Sequence, residues 1–188
     1  APTILPTTNE DEITEEKMAE AFTRWAKKRA VYVHEKKQWY LWDGLVWRPD
    51  PSNAVRLLLS EFVSAAHDAQ RHNRRFEDAL RRFENLSKIK NTLELAQPRL
   101  AKSITDFDTD PMLFAAGNTW IDLKTGQPVT PQANTLVSLQ SSVRYDPEAD
   151  CPVFKSFLNE IFLDDDALVK FVQRTVGYNL TARIEEQC

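Results

Sequence analysis

The spacing of apolar residues changes repeatedly along this chain, and that change most constrains its fold. Met18, Phe22 and Ala26 recur at the spacing of one helical face. Residues 31–42 are instead rich in β-branched and aromatic side chains, which favour strands. Helical spacing returns between residues 55 and 96, and strand signals then alternate with helical ones. The sequence therefore predicts an α+β fold: a helix and a small aromatic β-hairpin, then a helical bundle, then short antiparallel strands with C-terminal helices.

The hairpin contains three tryptophans, which could either stack on nucleic-acid bases or pack in the core. Asp43-Gly44 predicts a two-residue turn, because these residue types adopt the positive φ angles that such turns require. Tryptophans on a short hairpin could stack on unpaired bases, but large aromatic side chains are more often needed to pack the hairpin against a helix. We therefore expect core positions for Trp39, Trp42 and Trp47.

The middle of the chain predicts three helices separated by polar stretches. Ser52 is the expected N-cap of the first, whose Leu58 and Phe62 lie on its apolar face. Ser87 is the expected N-cap of the last, which Pro98 ends.

Charge is divided unevenly along a chain whose net charge is -4. The first 20 residues hold one base and six acids, residues 21–104 hold 17 bases and nine acids, and the remainder holds six bases and 13 acids. We expect three regions: a disordered acidic tail at 1–12, a helix, hairpin and helical region with a basic face at 13–104, and a mixed α/β region at 105–188.

An arginine-rich stretch of the middle region supplies the candidate nucleic-acid-binding residues. If a helix begins near His67, four arginines lie at helical neighbour spacings and form a cationic stripe able to contact a phosphate backbone. The alternative is a solvated, salt-bridged helix face. The bases at 27–29 are more simply explained by the dipole of the first helix. The stripe is Arg71, Arg74, Arg75 and Arg82, and the full candidate set adds Arg81, Lys88 and Lys90.

The last third predicts short strands at 112–115, 119–123, near Val129 and at 136–143. Pro152 suits the first turn of a helix. The buried face of that helix is expected to consist of Phe154, Phe157, Leu158 and Ile161. Three neighbouring carboxylates at 164–166 suggest a divalent cation, but an N-cap for the next helix explains them more simply. That helix carries Leu168, Phe171, Val172 and Val176.

Several kinds of chemistry find no support in the sequence. None of the four glycines opens a phosphate-binding Gly-x-x-x-x-Gly-Lys-Ser/Thr loop, and the three histidines complete no metal-ligand spacing. We therefore expect no catalytic, cofactor or metal residue in this segment. Cys151 and Cys188 are expected to be free thiols in the cytoplasm. No apolar run approaches the roughly 20 residues that span a bilayer.

Several short motifs resemble a known family through their order and spacing. They are Trp39-Tyr40-Leu41-Trp42-Asp43-Gly44 with Trp47, Trp120-Ile121-Asp122-Leu123-Lys124-Thr125-Gly126, Cys151-Pro152-Val153-Phe154 with Phe157-Leu158, and Gly177-Tyr178-Asn179-Leu180-Thr181 followed by Glu185-Glu186-Gln187-Cys188. Over most of residues 20–188 the chain resembles the accessory region that precedes the superfamily 3 helicase in phage and plasmid primases, and in the related poxvirus helicase-primase.

The resemblance implies a region between a priming domain and a ring-forming motor, helping to assemble the ring or guide DNA during replication. We expect the reading frame to continue past Cys188 into a strand and a phosphate-binding loop within roughly 20 residues, where ATP and Mg would bind. The segment alone is expected to be a monomer without ATPase or primer synthesis, binding DNA weakly and without sequence preference.

Two alternatives remain. One is a stand-alone DNA-binding or transcription-related module that uses the arginine-rich helix. The other is a protein-interaction domain in which that helix meets an acidic partner. Salt-dependent DNA binding would separate them.

Overall fold

The structure is a computed structural model that describes residues 13–69 and 80–183. Within these ranges the chain forms five α-helices and seven β-strands, which confirms the α+β class. The helices are α1 (Glu15–Ala26), α2 (Val55–Ala69), α3 (Leu86–Ala96), α4 (Pro152–Ile161) and α5 (Asp166–Asn179). The strands are β1 (Ala30–Val33), β2 (Gln38–Trp42), β3 (Trp47–Pro49), β4 (Ala101–Lys102), β5 (Leu113–Ala115), β6 (Trp120–Asp122) and β7 (Gln127–Val129). The expected acidic tail at 1–12 lies outside the described residues.

The first sheet has the strand order β3-β2-β1-β4. β1 pairs antiparallel with β2, with Tyr32 opposite Trp39, and parallel with β4, with Tyr32 opposite Ala101. The parallel pair is possible because α2 and α3 lie between β3 and β4 in sequence and supply a long crossover.

Strand β1 of this sheet is buried on both of its faces. Ala30 and Tyr32 face the helical layer of α1, α2 and α3, whereas Val31 and Val33 face a second cluster that includes Phe107. A strand buried on both sides needs apolar residues at every position, which explains the unbroken run of β1.

The tryptophans of the hairpin are core residues, as predicted. Trp39 packs with the helical layer, and its ring centroid lies 5.3 Å from that of Tyr32. Trp47 is 1% exposed, and its Nε1 donates a hydrogen bond to the carbonyl of Ala133 at 3.0 Å. Trp42 is half-buried and lies between Trp47 and Trp120, with centroid distances of 5.6 and 6.1 Å. Their faces are therefore used for packing.

The turn between β2 and β3 is longer than the predicted two-residue turn. It spans residues 43–46, and Gly44 takes the positive φ of +98°. The Asp43 carboxylate accepts hydrogen bonds from the amides of Leu45 at 2.8 Å and Val46 at 2.7 Å. Burial alone would raise the pKa of Asp43, but these bonds and the nearby Arg48 guanidinium outweigh that effect and lower it. The aspartate thus closes the turn with its side chain.

Two predicted helix caps were assigned to the wrong residues. The Asp50 carboxylate, not Ser52, accepts from the amides of Ala54 and Val55, each at 2.8 Å, at the start of α2. A carboxylate satisfies two amides and also complements the helix dipole, which a hydroxyl cannot do. At α3 the cap is Asn85, whose side chain accepts from the amide of Ser87 at 2.9 Å.

The second sheet is an antiparallel meander in the order β5-β6-β7. The strand predicted at 136–143 is not a regular strand. Its backbone groups bond to several different segments: the carbonyl of Val137 accepts from Trp47, and the amide of Ser141 donates to Ala115. The apolar spacing there reflects burial of Val137 against Trp120 rather than pairing with one partner strand.

The most substantial correction concerns the helices near the C-terminus. Pro152 does occupy the first turn of α4, but among the four residues expected to be buried only Leu158 is, at 5% exposure. Phe154, Phe157 and Ile161 are each about half exposed. In α5, which is described along its whole length, none of the residues is buried. The helical spacing of apolar residues identifies the apolar face of a helix, but it does not show whether another part of the fold covers that face.

Candidate nucleic-acid interface

The seven predicted contact residues do not form one described surface. Arg71, Arg74 and Arg75 lie outside the described residues. Arg81 and Arg82 are exposed in the short segment that precedes α3, and Lys88 and Lys90 lie on α3. The contribution of the arginine stripe therefore stays a prediction, whereas the last four residues can be assessed individually.

Lys88 is engaged in holding two helices together. Its Nζ donates to Oε1 of Glu15 at 2.6 Å, and the pair joins α3 to the first turn of α1. The hydrogen bond from Lys88, followed by the backbone hydrogen bond of Glu15 itself, lowers the pKa of the Glu15 carboxyl. A cation already paired with a carboxylate gains less from a phosphate, so Lys88 is a weaker candidate than sequence suggested.

A second ion pair lies along the same helix pair. Arg99, just after α3, donates through Nη2 to the Glu16 carboxylate and through Nη1 to the carbonyl of Leu95 at 3.0 Å. Glu15 and Glu16 are thus each paired with a cation from the α3 region. We call these two pairs the α1–α3 ion pairs.

Two other described candidates, Lys90 and Arg81, lie on different parts of the surface from Lys88. Successive residues of a helix are about 100° apart, so Lys90 lies roughly 200° around α3 from Lys88 and away from the α1–α3 ion pairs. Lys90 is exposed. Arg81 is also exposed and lines an open groove beside α2 with His67 and Asp68. Lys90 and Arg81 are therefore not held in the α1–α3 ion pairs that engage Lys88.

A further group of cations follows α1. Lys27, Lys28 and Arg29 are all exposed, and the guanidinium carbon of Arg29 lies 4.0 Å from the centroid of the Trp25 ring. This stacking fixes Arg29 while leaving its edge N–H groups available as donors. Sequence reasoning assigned these bases to the helix dipole. The signal that it missed is Trp25, an aromatic residue near the end of α1 against which Arg29 packs from the turn that follows the helix.

The carboxylates at 164–166 act as a helix cap. Oδ1 of Asp165 accepts from the amides of Ala167 at 2.9 Å and Leu168 at 3.2 Å, as the simpler interpretation predicted. In the described part of the chain, no group of three histidine, cysteine or acidic side chains is arranged to hold a metal ion.

The glycines do not fit a nucleotide-binding loop. Gly44 and Gly126 lie in hairpin turns with positive φ, and Gly177 lies within α5. Gly117 is needed for close packing, since a Cβ there would lie 2.9 Å from the carbonyl oxygen of Ser142. None of these four glycines, all of which lie in the described part of the chain, is thus placed in a strand-to-helix phosphate-binding loop.

No helix within 13–69 and 80–183 combines the length and apolar character needed to cross a membrane. Cys151 is exposed and is not in a disulfide, while Cys188 lies outside the described residues.

Comparison with known proteins places this architecture in a family. No curated protein matches the sequence significantly. A family model described as D5 N terminal like matches residues 19–163, about three quarters of the chain. The matched range runs from within α1 to just beyond α4 and includes both sheets. Because the match extends over far more than half of the sequence, the chain belongs to the D5 N terminal like family, the N-terminal region of D5-type primase-helicases.

Proposed function

We propose that this chain is the accessory region of a phage- or plasmid-type primase-helicase that engages DNA and supports assembly of the helicase ring during replication. The observation that carries the proposal is the family match over residues 19–163. DNA engagement is further supported by the excess of bases in residues 21–104. The motor itself would be a further domain of the same parent chain, and ATP and Mg would bind there. The parent would act in the cytoplasm of its host.

The proposed DNA contacts are the cations of the candidate set other than Lys88. We retain Arg71, Arg74, Arg75, Arg81, Arg82 and Lys90, and we assign Lys88 to the α1–α3 ion pairs. Each contact with a phosphate releases a condensed counterion, so log affinity falls with log salt by about 0.7 per contact on single strands and about 0.9 on duplex. Three to five contacts give a slope of roughly -2 to -4.

The test compares two charge-reversed variants that carry the same net charge. The first replaces the four stripe residues by glutamate: Arg71→Glu, Arg74→Glu, Arg75→Glu and Arg82→Glu. The control makes the same change at four exposed cations elsewhere: Lys124→Glu, Arg144→Glu, Lys170→Glu and Arg174→Glu. Affinity for single-stranded and duplex oligonucleotides is measured by fluorescence anisotropy across a salt series.

We expect the stripe variant to lose affinity and to show a flatter salt slope than the control. A general effect of net charge would weaken both variants equally, so the difference between them reports local contact. Lys88→Met provides a third comparison: it should leave the salt slope unchanged while reducing stability, because its partner is Glu15. Equal slopes for the stripe variant, the control and the unmodified chain would refute DNA engagement through this surface and would favour a protein-interaction role.

The motor assignment has its own test. The isolated chain should show neither ATP hydrolysis nor primer synthesis above background. Extending the parent reading frame should add a β-strand and a Gly-x-x-x-x-Gly-Lys-Ser/Thr loop within roughly 20 residues of Cys188. A parent protein that lacks any such loop would refute the primase-helicase assignment while leaving DNA binding by this segment untouched.

A further inference from the structure

An arginine lies over a tryptophan at the end of α1, beside two further cations. The guanidinium carbon of Arg29 is 4.0 Å from the centroid of the Trp25 ring, the separation expected of a guanidinium lying over the ring face. Arg29 is exposed, so the guanidinium face turned away from the indole is accessible to solvent. We call these two residues the Trp25–Arg29 stack. Neither of them belongs to the candidate set of DNA contacts.

The fold holds both members of the stack in place. Trp25 is partly buried, and its ring centroid lies 5.5 Å from that of Phe62 on α2. The amide of Arg29 donates to the carbonyl of Ala26 at 2.7 Å, and the carbonyl of Arg29 accepts from the amide of Trp42 at 3.0 Å. The ring of Trp25 and the backbone of Arg29 are therefore positioned before any ligand binds, which lowers the entropy that binding costs.

The turn that carries Arg29 also projects two lysines. Lys27 and Lys28 are the central residues of the turn that the bond between Arg29 and Ala26 closes, and both are exposed. None of the ion pairs formed within residues 13–69 and 80–183 involves either lysine or Arg29. The three cations are therefore available to an external anion.

The carboxylates closest to this turn along the chain and along the adjoining strand are already paired. Glu20, the last acid of α1, accepts from Arg24 at 2.7 Å. Asp43, which follows Trp42, accepts from Arg48 at 2.6 Å. The field at the stack is therefore positive, which favours a polyanion. The dipole of α1 explains why cations follow the helix, but it does not explain why a guanidinium lies on an indole.

A flat cation with two lysines beside it suits unpaired nucleotides better than an acidic peptide. Nucleobases stack on aromatic side chains and on the planes of guanidinium groups, and lysines pair with phosphates as point charges. In a duplex each base is covered by its neighbours above and below, so only an unpaired base has a free face for the stack. A carboxylate would bind the edge N–H groups of Arg29 and leave the guanidinium face unused.

We propose that the Trp25–Arg29 stack binds an unpaired base of single-stranded DNA, while Lys27 and Lys28 contact the phosphates of the same strand. The inference deepens the proposed DNA engagement and rests on it: it adds a contact outside the arginine stripe and gives the segment a preference for single strands. Arg29 determines that preference, because a lysine has the same charge but no plane on which a base stacks.

The experiment measures dissociation constants by fluorescence anisotropy for three ligands of equal length: oligothymidylate, the same strand with abasic sites in place of its bases, and duplex DNA. The 188-residue chain should bind oligothymidylate about 5- to 10-fold more tightly than the abasic strand, the lower part of what one stacked base contributes. Arg29→Lys should remove that difference by weakening the binding of oligothymidylate alone. It should leave the salt slope and the affinity for duplex unchanged, because the charge is retained.

Two pairs of lysine substitutions separate phosphate contacts from base stacking. Lys27→Ala with Lys28→Ala should weaken oligothymidylate and the abasic strand equally and flatten the salt slope by up to about 1.4, at about 0.7 per contact. The matched control is Lys36→Ala with Lys102→Ala, two exposed lysines at the opposite end of β1, and it should change neither quantity. Thermal melting checks that every variant is folded.

Three outcomes would overturn the proposal. One is equal affinity of the unmodified chain for oligothymidylate and for the abasic strand. Another is a folded Arg29→Lys variant that keeps the preference for oligothymidylate. The third is displacement of bound oligothymidylate by polyglutamate of the same charge as effectively as by unlabelled oligothymidylate, which would indicate an acidic protein partner.

This inference and the proposed role of the arginine stripe fail separately. Loss of the base preference in Arg29→Lys, with an unchanged salt slope in the stripe variant, would support the stack and refute the stripe. A flatter salt slope in the stripe variant, with an intact base preference in Arg29→Lys, would support DNA engagement through the stripe and refute the stack.

Discussion

Replacing Phe62 by alanine should be among the most destabilising single changes in this chain. Phe62 is 0% exposed and lies where α1 and α2 meet. Its ring centroid lies 5.8 Å from that of Phe22, in an edge-to-face arrangement, and 5.5 Å from that of Trp25. Truncation removes the buried ring, leaves a cavity between two helices and abolishes both aromatic contacts.

The expected loss of folding stability in Phe62→Ala follows from these contacts. Phenylalanine-to-alanine changes in cores cost about 3–5 kcal/mol, and the two aromatic partners place this site in the upper part of that range. For a domain of about 150–250 residues, each kcal/mol lowers the melting temperature by about 2–4 °C, so the shift should be roughly 8–20 °C. Replacing Leu58, which is only partly buried, by alanine should lower the free energy of unfolding by less, toward the low end of about 2–5 kcal/mol.

The assay is urea denaturation followed by circular dichroism, with thermal melting as a second measurement. The matched control is Leu57→Ala on the same helix, since Leu57 is 68% exposed and should change the free energy of unfolding by less than about 0.5 kcal/mol. A Phe62→Ala variant as stable as Leu57→Ala would show that α2 does not pack on α1 as described, and the account of the helical core would be wrong.

Three further outcomes follow from individual contacts. Asp43→Ala should destabilise the chain by about 1–2 kcal/mol in urea denaturation, because two turn amides lose their acceptor, whereas Asp43→Asn retains an oxygen acceptor and should cost less. Cys151 should react with a thiol reagent without denaturation, because it is exposed and free, and quantitative labelling under denaturing conditions should also find Cys188 reactive. The lowered pKa of Glu15 means that its pair with Lys88 contributes stability above the unfolded pKa of about 4.5, and that this contribution is lost as pH falls through the folded pKa. Lys88→Gln should therefore flatten the acid dependence of stability, and parallel curves for the two proteins would refute that contribution.

The regular elements could largely be predicted because their signals are local. Helical spacing located α1, α2 and α3, and the run of β-branched and aromatic residues located β1 and β2. The two-residue strand β4 could not be found, since Ala101 and Lys102 carry no periodic signal of their own. Its position depends on pairing with Tyr32 and Val33, nearly 70 residues earlier in the chain.

Errors in the last third share one physical cause. Strand signals at 136–143 predict a strand, but Val137 is buried against Trp120 while its backbone bonds to Trp47. At 154–161 the apolar face was interpreted as buried, but the fold leaves it exposed. The spacing of apolar residues in the sequence shows which side of a helix or strand is apolar. Whether another element covers that side depends on tertiary contacts that no local pattern contains.

The candidate interface was predictable only in part, because charge along a sequence is not charge on a surface. The acidic first 20 residues and the basic middle suggested separate regions. In the fold, Glu15 and Glu16 from the acidic stretch pair with Lys88 and Arg99 from the basic one. Part of the middle region's excess of bases is therefore neutralised within the protein.

This internal pairing changes which residues a DNA-binding surface can use. A cation held by a carboxylate must break that pair, or share it, before it contacts a phosphate, so Lys88 contributes less than its sequence position suggests. Lys90 and Arg81, which are exposed, carry no such cost from the α1–α3 ion pairs. The stacked Arg29 joins them as a candidate, because the Trp25 ring restricts its side chain before any ligand binds. The useful measure of a nucleic-acid surface is thus the set of cations left after the fold has satisfied its own carboxylates.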